Sequence, residues 1–189
     1  MKYLKSILVS LGITATVGAI AVTATSHPPP SLKEIQYRGG LIRFDVPHDW
    51  MEEKEPDGGT MFYSPGPDTG TLRLNVITAS SPKDLDTSEQ KAILEGIRGV
   101  DPESVRMLSN GSFMAYHIDR TAEEGTPITL YWWHKTHLVD ARHIRLASFS
   151  YTVRTTQEGD ETTLADVAIL SRSIEAAEFH PELGQFEEQ

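Results

Sequence analysis

The stretch that decides the fold is a strand-length run at residues 128–135, which reads Ile-Thr-Leu-Tyr-Trp-Trp-His-Lys. The run holds two of the three tryptophans of the chain, and its β-branched and aromatic residues are typical of a β-strand. Alternate side chains of a strand point to opposite faces, which gives one face with Ile128, Leu130 and Trp132 and another with Thr129, Tyr131 and Trp133. Neither face is suited to water, so the run predicts a central strand in a sheet that packs against other layers.

The register of this run also predicts which indole lies in the core. Trp132 is in register with two aliphatic residues, Ile128 and Leu130, so we expect it to lie in the main core. Trp133 shares its face with Thr129 and Tyr131, and we expect it to contribute less to stability than Trp132 if that face is incompletely covered. In that case Tyr131 and Trp133 would form an aromatic surface suited to a partner protein or a hydrophobic ligand. Core packing of both aromatic side chains is the default expectation for a central strand.

Further strands are predicted from alternation and turn signals along the chain. They are residues 41–46, 60–64, 71–79, 105–108, 113–121 and 144–153. The turn Ser109-Asn110-Gly111-Ser112 favours a hairpin between the fourth and fifth of them. Residues 52–59 are predicted to be a charged loop that ends in a Pro-Asp-Gly-Gly turn.

Two helices are predicted from their capping residues. Asp86 with Glu89 three residues later has the pattern of a capping box, and Gly99 is the expected stop of this first helix. Asp160 is expected to cap a second helix that runs to about Ala176. The order of strands, helix, strands and helix predicts an α+β fold, with an antiparallel sheet flanked by helices.

The N-terminal segment, residues 1–24, has the features of a signal peptide. Lys2 and Lys5 precede an apolar run over residues 7–22, and cleavage is expected after Ala24. A membrane-spanning helix needs about 20 apolar residues, so the shorter, polar-interrupted run favours cleavage over an uncleaved anchor. We expect a proline-rich spacer at 25–37, a domain at 38–180 and an acidic tail at 181–189. The mature protein is then periplasmic or secreted, and is held at a membrane only if the segment stays uncleaved.

Charge and composition narrow the classes of partner. The formal net charge is −10 over the 189 residues, and losing Lys2 and Lys5 from a leader without acidic residues makes it −12. This sign argues against binding to nucleic acid, which depends on cationic side chains that release counterions. The absence of cysteine from the sequence excludes disulfides, thiolate metal ligands and a cysteine nucleophile.

The histidines near the 134–143 hairpin are the candidate metal ligands. His134, His137 and His143 could meet where two strands end and supply nitrogen to a divalent metal such as zinc or copper. Neighbouring lysine and arginine residues would repel such a cation, and histidines at a hairpin end are usually solvated. The sequence contains no nucleophile-elbow, phosphate-loop, zinc-protease or dinucleotide motif that would indicate a particular enzyme. We therefore predict no cofactor, with a divalent metal as the alternative.

Three short stretches carry a family resemblance, namely Phe44-Asp45-Val46-Pro47-His48-Asp49-Trp50, Phe62-Tyr63-Ser64 and Ile169-Leu170-Ser171-Arg172-Ser173-Ile174. Together with the predicted order of elements, they resemble the PsbP/Mog-like superfamily over about residues 38–180. The superfamily includes the extrinsic subunit P of photosystem II, Mog-type Ran-binding proteins and many bacterial envelope proteins. The resemblance implies an α-β-α sandwich without common catalytic residues, in proteins that act mostly as binding or assembly factors.

Two functions follow as expectations. The first is an exported, noncatalytic binding or assembly-accessory domain of the bacterial envelope with an envelope protein as its partner. The alternative is a metal-dependent enzyme or hydrolase that uses the histidine cluster near the 134–143 hairpin. The two differ in whether His134, His137 and His143 converge on one point.

Overall fold

The computed structural model describes residues 30–55 and 59–182. Residues 1–29, which hold the predicted signal peptide and the start of the predicted spacer, residues 56–58, for which a turn is predicted, and residues 183–189 of the tail lie outside the described residues. Within them the strands are β1 Leu32–Tyr37, β2 Ile42–Pro47, β3 Met51–Lys54, β4 Thr60–Tyr63, β5 Thr71–Ser80, β6 Arg106–Met107, β7 Phe113–Glu123, β8 Thr126–Asp140, β9 His143–Arg154 and β10 Glu178–Phe179. The helices are α1 Thr87–Glu95 and α2 Glu161–Ala176. Neither helix has the length and apolar character needed to cross a bilayer, as far as the described residues go.

The strands form two antiparallel sheets. The large sheet has the order β3-β4-β5-β9-β8-β7-β6, and the small sheet has the order β1-β2-β10. The predicted α+β architecture, with an antiparallel sheet flanked by helices, is confirmed. The run at 128–135 lies inside β8, which is hydrogen-bonded to β7 on one side and to β9 on the other. It is a central strand, as its composition predicts.

The large sheet has two unequal faces. We call the core face the one that carries Tyr131 and Trp133, because α2 and the small sheet cover it. Phe44 of β2 reaches across to this face and makes an edge contact with Phe149, whose ring centroid lies 5.2 Å away. We call the opposite face the open face. Helix α1 and the loop after it cover it only at one end, where Leu94 packs in a second, smaller cluster.

The hairpin between β7 and β8 fixes the position of every residue across this pair. Glu124 and Gly125 form its two-residue turn with φ values of 49° and 82°, which is the left-handed geometry of a tight hairpin turn. The register then runs without a shift from Glu123 opposite Thr126 to Phe113 opposite Thr136. His117 consequently lies directly opposite Trp132.

Local signals give mixed outcomes at the helix ends. The capping box at Asp86 is confirmed, because its carboxylate accepts from the N–H of Glu89 while the Glu89 side chain accepts from the N–H of Asp86. The helix ends at Glu95 with Gly96 as its cap, earlier than the predicted stop. Asp160 does precede α2, but its side chain makes no capping hydrogen bond.

Two predicted irregular segments are strands. Residues 32–37 of the predicted spacer form β1, which pairs with β2 along its whole length, so the folded domain includes residues before 38. The charged residues 52–54 belong to β3, which pairs with β4. In both cases the backbone gains partners from a neighbouring strand, which outweighs the preference of prolines or charges for a loop.

Candidate functional site

The two tryptophans occupy faces opposite to those predicted. Trp133 is 1% exposed on the core face, where its Nε1 donates to the Ser171 hydroxyl at 3.1 Å. Tyr131 is 3% exposed, and its hydroxyl donates to the carbonyl of Glu158 at 3.3 Å. The predicted binding surface of Tyr131 and Trp133 is wrong, since α2 and the small sheet bury both side chains. Trp132 is only partly buried and lies on the open face.

The three predicted metal ligands point to different places. His134 lies on the open face, where its Nδ1 is 2.9 Å from the Ser148 hydroxyl. His137 is three positions further along the same strand, so its side chain leaves from the other face, where the ring stacks on Phe179. His143 instead contacts Asp140, with Nδ1 2.8 Å from a carboxylate oxygen.

The predicted metal centre at His134, His137 and His143 therefore does not assemble. No three histidine or carboxylate side chains of the described residues lie together as a possible metal site. The alternative function, a metal-dependent enzyme or hydrolase at this hairpin, loses its structural basis, because it requires the three imidazoles to converge.

The open face instead carries a cluster of three rings from β7 and β8. The ring of Trp132 lies 5.5 Å from that of His134 and 6.2 Å from that of His117, and the planes are within 10° of parallel in both pairs. The two imidazoles are 5.4 Å apart. Sequence reasoning missed His117, although the register imposed by the Glu124-Gly125 turn would have placed it opposite Trp132.

This cluster forms the floor of a groove of about 510 Å³, which we call the histidine groove. Its lining includes Ile97, Arg98, Gly99, His117, Trp132 and His134. The loop after α1 forms one wall and approaches the floor closely. A Cβ atom at Gly99 would lie 2.9 Å from the His117 ring, and φ there is +91°, so both space and backbone conformation favour glycine.

Both imidazoles of the groove have a buried nitrogen without a hydrogen-bond partner among the described residues. These atoms are Nδ1 of His117 and Nε2 of His134. Burial lowers the pKa of both side chains, and for His134 the neighbouring His117 adds to the effect and brings the pKa to about 4. At neutral pH both imidazoles are therefore uncharged, and together with the indole they give the groove a floor of stacked neutral rings.

Acid is expected to weaken the fold through His134. The pKa of this side chain is about 4 in the folded protein and about 6.5 in an unfolded chain, so between these values the unfolded chain binds more protons. Stability therefore falls as the pH drops below about 6.5, and the loss between pH 7.5 and pH 5 should be about 2 kcal/mol. Urea melts at the two pH values measure it. The matched variant His134→Gln should lack this part of the loss, while His117, whose pKa is also lowered, still contributes in both proteins. Equal losses in both proteins would contradict the assignment.

Comparison with known proteins finds similarity in structure alone. No family model and no curated protein matches the chain. A protein of Bacteroides thetaiotaomicron VPI-5482, known from a crystal structure, is 21% identical with a TM-score of 0.51. The match covers 78% of this chain but only about half (48%) of the Bacteroides protein. A single-residue variant of Mog1 is 11% identical with a TM-score of 0.51, and the match covers 83% of the chain and all (100%) of Mog1. LpqN of Mycobacterium tuberculosis, involved in cell envelope biogenesis, is 12% identical with a TM-score of 0.48 over 77% and 84% of the two chains. The similarity to Mog1 establishes the α+β fold as Mog1-like.

Proposed function

We propose that the chain is a noncatalytic binding or assembly-accessory domain of the bacterial envelope, and that the histidine groove is where it binds a partner protein. The observation that carries this proposal is the pair of buried, unpartnered nitrogens on His117 and His134 beside the indole of Trp132. Buried polar atoms are normally hydrogen-bonded, because leaving one unpaired costs free energy. Both atoms are buried in the free protein, so in this proposal the partner displaces the atoms that cover them and supplies the missing hydrogen bonds.

The lining indicates the chemistry of that partner segment. Trp132 offers apolar area, the imidazoles offer hydrogen bonds, and the exposed guanidinium of Arg98 stands at the rim. The segment that fits has an amide or hydroxyl side chain for the imidazoles and a carboxylate for Arg98. A protein segment carries these groups on one short stretch. The partner is therefore a protein rather than a small molecule.

Export is part of the same proposal. Its support is the sequence of residues 1–24, with two lysines before an apolar run and small residues at the expected cleavage site. The mature protein would start at Thr25 in the periplasm or outside the cell. N-terminal sequencing of the envelope-associated protein checks this. An intact Met1 in the membrane fraction would show instead that the segment is uncleaved and tethers the protein to the membrane.

Photo-cross-linking from inside the groove tests the binding site. With p-benzoylphenylalanine at position 121, which lines the groove, envelope extract should yield one adduct of defined mass. The matched control places the same probe at Ile77, which is 51% exposed on the same face of the sheet but outside the groove lining. We expect the adduct at position 121 only, and we expect Arg98→Glu to reduce it about tenfold or more, since a repelled carboxylate costs at least 1.4 kcal/mol.

Two results would overturn the groove as the binding site. One is an adduct of equal yield from positions 121 and 77, which would indicate nonspecific capture. The other is an adduct whose yield Arg98→Glu leaves unchanged. Arg98 is exposed and has little effect on packing, so circular dichroism should show that this variant stays folded.

A further inference from the structure

The outer edge of β7 is largely uncovered. The short strand β6 pairs only with Phe113 and Met114, at the beginning of β7. From residue 115 to residue 123, the described part of the chain provides no strand on this side. An open edge of this length presents unpaired N–H and C=O groups and is a template for another strand.

The direction of the backbone along this edge can be derived from the hairpin. The N–H of Leu108 donates to the carbonyl of Ser112 at 2.8 Å, so the backbone of residue 112 points toward the edge. Direction alternates along a strand, and β7 pairs with β8 without a register shift. The outward-pointing backbone groups are therefore those of Tyr116, Ile118 and Arg120.

The side chains of this edge are complementary to themselves. Residues 116–120 read Tyr-His-Ile-Asp-Arg, with an aromatic ring and an imidazole before the central isoleucine, and a carboxylate and a guanidinium after it. The side chains of Tyr116 and Ile118 are 36% and 39% exposed, although both are largely apolar. When such a sequence is read against itself in the opposite direction, unlike groups face each other.

We infer that two copies of this chain pair β7 with β7 in antiparallel fashion about a twofold axis at Ile118. Arg120 of the second copy, whose guanidinium is held by the Glu158 carboxylate of its own chain, then faces Tyr116 across the axis. Asp119 of the second copy faces His117, so an acid meets an imidazole. The two large sheets become one continuous sheet, and both histidine grooves open on the same side of it.

Two constraints favour this register. The edge is free from residue 115, because Met114 already pairs with β6, and a twofold axis at Ile118 limits pairing to residues 115–121. An axis at Arg120 would place two guanidinium groups opposite each other, which is unfavourable. With the axis at Ile118, the two copies of Ile118 lie opposite each other. The backbone N–H and C=O of Ile118 point outward, so the two copies can exchange both hydrogen bonds. Beyond residue 121, each copy must bend away from β6 of the other.

Single cysteine substitutions test the axis without interference, because the chain has no cysteine of its own. In Ile118→Cys the two Cα atoms of the dimer would be about 5.5 Å apart, which is within the range of a disulfide. The control Thr121→Cys is also exposed, but its two copies would be six register positions, or about 20 Å, apart. Under diamide oxidation we expect Ile118→Cys to form disulfide dimers at least about tenfold faster than the control.

Sedimentation equilibrium provides a second measurement on the mature protein. The unsubstituted protein should have twice the mass of one chain, and Ile118→Pro should be monomeric. The N–H of residue 118 points outward, so proline removes a donor that the chain itself does not use, and edge strands tolerate proline at such positions. A monomeric unsubstituted protein, or equal cross-linking rates at positions 118 and 121, would overturn the inference. Neither result bears on the histidine groove as a binding site, because that proposal is tested by photo-cross-linking to a different protein.

Discussion

Trp133→Ala is expected to lower the free energy of unfolding by about 3–5 kcal/mol, the usual cost of removing a large aromatic side chain from a core. The indole is 1% exposed and packs against Tyr116, whose ring centroid lies 5.4 Å away. The substitution would also leave the Ser171 hydroxyl without its donor. Urea unfolding at neutral pH, followed by circular dichroism, measures the change.

Trp132→Ala is the matched control from the next position of the same strand. Its indole lies on the open face, partly exposed, with His117 and His134 stacked beside it. Only part of its apolar area leaves water on folding, so we expect a loss of about 1–2 kcal/mol. A larger loss for Trp132→Ala than for Trp133→Ala would contradict the burial of the two indoles and would restore the assignment drawn from the sequence.

The sequence predicts β8 as a strand but assigns its faces wrongly, and the reason is physical. Alternation separates Trp132 from Trp133, yet it says nothing about which face receives the thicker layer of α2 and the small sheet. The presence of Thr129 beside Tyr131 suggested an open face. In the structure Thr129 is fully buried. Its hydroxyl donates to the Glu158 carboxylate and lies 3.2 Å from the hydroxyl of Thr155, and both partners are far along the chain.

Features set by neighbouring residues are predicted more reliably than features set by distant ones. The Asp86 capping box and the Asn110-Gly111 hairpin turn depend on contacts within a few residues, and both are found in the structure. The strand β1 depends instead on pairing with β2. The sequence shows the apolar residues Ile35 and Tyr37 alternating with polar ones, and both are buried in the structure. The preceding prolines nevertheless suggested a spacer.

In the candidate site, too, features set by neighbouring residues could be predicted and features set by distant residues could not. The placement of His117 opposite Trp132 follows from the hairpin register and could have been predicted. The unpartnered nitrogens of His117 and His134 could not, because burial of these rings depends on contacts between residues far apart in the sequence, such as that of Gly99 with the His117 ring. The failure of the three-histidine metal site also follows from a local rule, since His134 and His137 are an odd number of positions apart on one strand.

Lys135→Met is expected to destabilise the protein by about 2–4 kcal/mol, because hydrogen bonds from a charged donor contribute about 1.5–3 kcal/mol each and the ammonium's own desolvation cost offsets part of this. The fully buried Lys135 Nζ donates to the carbonyls of Ile174, Glu175 and Ala177 at 3.2, 2.8 and 2.6 Å. These carbonyls lie at the C-terminal end of α2, where no further helical turn supplies donors and the helix dipole favours a cation. Methionine keeps the length of the side chain and removes the donor. The control Lys91→Met removes an exposed pair with Glu95 and should cost no more than about 0.5 kcal/mol.

The pH dependence of this difference distinguishes a buried ammonium from an ordinary packing defect. Burial lowers the pKa of Lys135 from 10.5 to about 8, against the opposing charges of Glu175 and Glu178. Between these two pKa values the unfolded chain binds more protons than the folded one, so the contribution of Lys135 to stability rises with pH. Urea melts at pH 7.5 and pH 9.5 should therefore show a larger gap between the unsubstituted protein and Lys135→Met at the higher pH. A gap that is constant across this window would mean that the three carbonyls hold the ammonium fully charged, and that its pKa is not lowered.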